Sequence, residues 1–145
     1  MSQSASRWLP VVAWAAMIWT FSSSSFQGEE TGRFLLPLLG FLLPGASAAT
    51  LELLHGGVRK LAHITEFAIF AALLVRALGV AGRSRRRIVV PALVLGLAWA
   101  GIDEIRQTFV PERVGSPVDV GFDGLGVLLG TCLAERFSSG RRSRA

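Results

Sequence analysis

The chain has 145 residues, 51% of them apolar, with a mean hydropathy of +0.50 and a formal charge of +5. That length suits one domain, and that apolarity exceeds what a soluble domain of this size covers with polar surface. The arginines bunch beside apolar runs and no aromatic-basic surface motif appears, which argues against nucleic acid as a partner and for membrane topology. The single cysteine, Cys132, excludes an internal disulfide and a multi-cysteine metal site.

A membrane-spanning helix needs about 20 mostly apolar residues. The first candidate runs from Trp8 to about Phe26 and carries Trp8, Trp14 and Trp19, the outer two suited to the two interfaces. No small-x-small cleavage pattern follows it, so it reads as a retained helix and not a signal peptide. Phe34 to Leu54 is also apolar, but Pro37, Gly40, Pro44 and Gly45 interrupt it. Because proline removes a helix hydrogen bond, this stretch reads as an interfacial or re-entrant segment. Further spans are expected at about 60–80, 88–109 and 118–137.

The expected fold is all-α: an integral membrane four-helix bundle with the broken apolar segment between the first and second spans. Residues 1–145 form one domain, with 138–145 as a tail. Arg83, Arg85, Arg86 and Arg87 in one loop, and Arg141, Arg142 and Arg144 in the tail, place both on the cytoplasmic side. A single span before Lys60 then puts the N-terminus, with Arg7, on that side as well.

In this topology the start of the second span, the end of the third and the start of the fourth meet at the outer face. The polar residues gather there: Arg59, Lys60, His63 and Glu66; Asp103, Glu104 and Gln107; Arg113; Asp119 and Asp123; and Ser22 to Ser25 at the end of the first span. Lys60, His63 and Glu66 recur every third residue and share a sector of roughly 120° on a helix. Asp103 with Gln107, and Asp119 with Asp123, are i, i+4 pairs. A charge at mid-bilayer costs about 2.5–3.5 kcal/mol on insertion scales, so such groups need partners or water. Each also has a plainer reading. Arg59 and Lys60 suit interfacial anchors, His63 and Glu66 a structural pair, and Asp119 a helix cap. Gly121, Gly124, Gly126 and Gly130 suit close helix packing.

Four motifs in order resemble those of VanZ-like membrane proteins. Arg59-Lys60-Leu-Ala-His63-Ile-Thr-Glu66-Phe67 is similar to the signature R-K-x-x-H-x-x-E-[YF]. Asp103-Glu104-Ile-Arg-Gln107-Thr-Phe109-Val-Pro111-Glu-Arg113 resembles D-E-x-x-Q-x-F-x-P-G-R, with Glu112 in place of the glycine. Asp119, Asp123 and Gly126 match D-x-x-x-N-x-x-G, with Asp123 in place of the asparagine, and Phe21-Ser22-Ser23 resembles F-S-S. The resemblance implies a bacterial cytoplasmic membrane and a role at the cell envelope. The family takes its name from a protein linked to resistance to teicoplanin, a lipid-bearing glycopeptide.

Three functions are open. The first is binding or modulation of an amphiphile, such as a lipoglycopeptide or a lipid-linked envelope precursor. Its head group would meet Arg59, Lys60, Glu104, Gln107, Arg113, Asp123 and Ser22. The second is an enzyme acting on a lipid head group, with His63, Glu66, Asp103 and Asp119 as the catalytic candidates. Its carboxylates would suit a divalent cation. The third is a transporter or proton relay, which four spans without a visible inverted repeat support only through an oligomer.

Overall fold

The computed structural model describes residues 3–22, 28–80, 83–109 and 117–142, and among these it contains helices and no strand. The helices are α1 (Gln3–Phe21), α2 (Gly28–Leu42), α3 (Ala48–Leu78), α4 (Arg86–Gln107) and α5 (Pro117–Arg142). Helix α3 is central: α1, α2, α4 and α5 all pack on it, and α4 also packs on α5.

The apolar segment before the second span departs from expectation. Its break is a single turn, and helix continues on both sides. Pro37 and Gly40 lie within α2, with Pro37 at an exposed position. The chain reverses after Leu42, where Gly45 adopts φ 96°, a left-handed value that a side chain would strain. Ser47 then starts α3: its hydroxyl accepts from the Thr50 backbone N–H at 3.2 Å, which satisfies one donor of the first turn. Helix α3 thus begins twelve residues before Lys60 and runs for 31 residues. That is about 46 Å of helix, half as long again as a hydrocarbon core of about 30 Å. Its far end is closed by the Gly79 N–H donating to the Val75 carbonyl at 2.9 Å.

Helix α1 ends five residues before the expected limit of the first span, and α5 continues five residues beyond the last. Helices α3 and α4 are long and apolar enough to cross a membrane. Helix α5 carries Asp119, Asp123, Glu135 and Arg136 within a similar length.

The core lies along one side of α3. Phe67, Phe70, Ala71, Leu74 and Val75 meet Val11 and Ile18 of α1, Ile88, Ala92 and Ala100 of α4, and Val127 of α5. Two glycines fix how α5 lies on it. A Cβ on Gly126 would strike the Ile64 backbone, and one on Gly130 would lie 2.6 Å from the Ala68 carbonyl carbon. Small residues one turn apart let the two backbones touch. Gly121, by contrast, faces open space. Large apolar side chains remain exposed around the bundle, among them Val12, Phe34, Phe41, Leu53, Leu61 and Ile105.

Candidate functional site

Where α1 ends, it meets the last turn of α4. Ser22 is buried there, and its hydroxyl donates to Asp103 Oδ2 at 2.8 Å. The Gln107 amide donates to the same oxygen at 2.7 Å and to Ser22 Oγ at 2.9 Å, closing a triangle. The i, i+4 spacing of Asp103 and Gln107 puts both on the face turned toward Ser22. All three residues are at most 4% exposed. Arg106 caps the cluster, 3.7 Å from Asp103 Oδ1, with its guanidinium 4.5 Å above the Trp19 ring. Oδ2 of this buried carboxylate is satisfied by two hydrogen bonds, whereas Oδ1 has the guanidinium as its charged neighbour and no hydrogen bond among the described residues.

A second cluster lies between α3 and α5. His63 Nδ1 is 3.3 Å from Asp123 Oδ1. Asp123 is 1% exposed, and its oxygens meet no hydrogen-bond partner among the described residues, so the imidazole is its close polar neighbour. The two residues come together because Gly126, one turn beyond Asp123, lets α5 touch α3 beside Ile64. Beside the pair is a cavity of about 120 Å³ lined by Gly56, Arg59, Lys60, His63, Asp119, Phe122 and Asp123. Lys60 Nζ sits 4.7 Å above the Phe122 ring, a cation–π contact that holds the ammonium at the rim.

Glu66 joins the clusters. It shares with Ser22, Arg59 and His63 a more open cavity of about 370 Å³, and it interacts electrostatically with His63, Asp103 and Asp123. Its backbone carbonyl accepts from the Trp14 indole at 2.9 Å, which ties α1 to α3 at this level.

The expected site residues therefore fall into two adjoining groups. Ser22, Asp103 and Gln107 form one. Arg59, Lys60, His63, Asp119 and Asp123 form the other, and Glu66 lies between them. Glu104 is buried on α4, outside the triangle. Arg113 and Ser23 to Ser25 lie outside the described residues. Among the described residues, no three His, Cys, Asp or Glu side chains are grouped so as to hold a metal ion.

Sequence reasoning missed His55. It is buried, with Nδ1 3.7 Å from Glu52 Oε2, and it helps line a groove between α2 and α3 with Arg33, Leu36, Pro37 and Arg59. The signal was present: His55, Arg59 and His63 are spaced i, i+4, i+8, one stripe on a continuous helix. It was hidden by reading residues 34–54 as broken. Phe122, the platform under Lys60, carried no signal beyond being apolar. Glu135 was missed as well; it is buried near the other end of α5 and pairs with Arg85 at 3.5 Å.

The VanZ/LLP1 family model matches residues 7–138, nearly the whole chain, and both clusters fall inside the match. No curated protein and no solved structure matches. The chain belongs to the VanZ/LLP1 family.

Proposed function

We propose that this VanZ/LLP1 chain is a multi-pass protein of the bacterial cytoplasmic membrane whose outward-facing polar site holds the head group of an amphiphile. In this reading α1, α3, α4 and α5 cross the bilayer, both termini are cytoplasmic, and α2 with the start of α3 lies at the outer interface. The apolar length of α3 and α4, the exposed apolar side chains around the bundle and the placement of the arginines support it. The association of the family with teicoplanin resistance fits a ligand that carries a lipid tail.

The observation that carries the proposal is the lining of the α3–α5 cavity. Arg59 and Lys60 present cations at its wall, across from Asp119 and Asp123, and Arg59 also lines the groove against α2, whose Phe34, Leu38 and Phe41 are exposed. Cations suit a phosphate or carboxylate head group, and the apolar helix suits its tail. A lipid-linked envelope precursor and a lipoglycopeptide both have this chemistry. The test is binding of each to purified protein, with Lys60→Ala expected to weaken it about tenfold, the cost of one charge-assisted contact. Equal binding by wild type and variant would refute the head-group site.

The His63–Asp123 pair favours a second reading, an enzyme acting on a lipid head group. A carboxylate beside Nδ1 favours the tautomer in which Nε2 is the basic nitrogen, the arrangement a general base needs. Turnover on a pool of lipid phosphates that His63→Ala abolishes would establish it.

A further inference from the structure

A further polar cavity lies at the opposite end of the bundle. It has a volume of about 380 Å³ and forms where the first turn of α1 meets the end of α3. Arg7 of α1 and Arg83 of the α3–α4 connection both line it, with Ser4, Trp8, Leu78 and Val80. Among the described residues no carboxylate lines it. None is near in the chain either: Met1–Gly28 and Phe67–Ile102 contain no Asp or Glu. The acid that α5 brings to this end, Glu135, is paired with Arg85. Two guanidiniums from separate segments thus share one cavity with no acidic residue in its wall among the described residues; Arg83 donates to the Leu78 carbonyl at 3.4 Å, and the like charges are further stabilised by a bound anion. The rest of the lining adds a hydroxyl, an indole and an apolar wall. Leu78 lies 15 residues after His63, about 22 Å along α3, so this cavity and the outer site are separated by most of a hydrocarbon core.

We infer that this cavity binds the phosphodiester head group of an anionic phospholipid in the cytoplasmic leaflet. Arg7 and Arg83 engage the phosphate, Ser4 supplies a further donor, Trp8 lies at head-group level, and Leu78 and Val80 meet the first carbons of the chains. Exposed Arg85, Arg86 and Arg87 beside it raise the local concentration of anionic lipid without forming the cavity. The site is separate from the outer one, so its failure and the failure of the head-group reading are read in different variants.

The test is lipid selection by the full-length protein. Purified protein in micelles containing equal phosphatidylglycerol and phosphatidylcholine is analysed by native mass spectrometry for retained lipid. Wild type should retain phosphatidylglycerol preferentially. Each arginine is worth roughly fivefold, so the double variant Arg7→Gln, Arg83→Gln should lose the preference by about twenty-five-fold. The double lysine variant should keep most of it. Arg86→Gln, outside the cavity wall, should lose no more than a small part of it. No preference in wild type overturns the inference, as does a preference that survives the double glutamine variant or falls equally in Arg86→Gln. Competition by free inorganic phosphate at equal concentration would overturn the lipid assignment.

Discussion

His63 on α3 and Asp123 on α5 are 60 residues apart in the chain, and the imidazole Nδ1 lies 3.3 Å from the carboxylate Oδ1. The pair makes the α3–α5 interface more than an apolar seam. It also sets one wall of the cavity that Arg59 and Lys60 line.

Asp123→Ala should destabilise the protein by about 1–3 kcal/mol, because it removes the buried carboxylate that faces the imidazole and leaves a void between α3 and α5. Asp123→Asn keeps an acceptor oxygen and restores the residue type of the family motif. It should cost under about 1 kcal/mol. Thermal unfolding in detergent distinguishes them, and equal loss in both would show that the charge, not the acceptor, matters.

Ser22→Ala removes one corner of the buried triangle. Asp103 loses a donor and Gln107 an acceptor, which should cost about 1–3 kcal/mol. Ser22→Thr keeps the hydroxyl but adds a methyl group to a closed site, and should fall between alanine and wild type. The check is again the unfolding midpoint, with membrane abundance measured alongside.

Gly130→Ala places a methyl group against the Ala68 backbone, which cannot swing aside. The helices must separate, and the loss should reach or exceed the upper end of about 1–3 kcal/mol seen for overpacking. Gly121→Ala meets nothing and should gain up to about 1 kcal/mol from helix propensity. Similar stability of the two variants would contradict the backbone contact.

In a strain lacking the chromosomal copy, His63→Ala, Glu66→Gln, Asp103→Asn and Asp119→Asn should each reach the membrane at wild-type level yet lose the envelope phenotype. Growth on a lipoglycopeptide and the pools of lipid-linked intermediates are the readouts. Loss of abundance in all four would assign the polar clusters to folding alone.

The polar stripe of α3 could be read in the sequence because a helix repeats its faces every three to four residues, and His63 and Glu66 keep that period. The α2–α3 turn could not be placed. Four breakers lie between Pro37 and Gly45, and local chemistry does not say which of them wins. Proline at an exposed helical position loses one hydrogen bond, whereas Gly45 alone takes the left-handed backbone that reverses the chain. The Ser47-x-x-Thr50 cap is a local start signal for α3, but it follows prolines that locally suggest irregular chain. Division of the site into two groups was not legible at all. That Asp103 pairs with Ser22, and Asp123 with His63, depends on which helices are neighbours; for α3 and α5 this rests on glycines whose partners lie 62 residues away.

The contacts at Gly126 and Gly130 have a mechanical consequence. Main chain against main chain leaves α3 and α5 no slack to roll or slide, so together they act as a stator that holds His63 opposite Asp123. Helices α1 and α2 meet α3 through the side chains of Trp14 and His55. Rotamers can yield where backbones cannot. Any widening of the cavities around His63 therefore falls to these two helices, and the His63–Asp123 spacing stays constant while it happens.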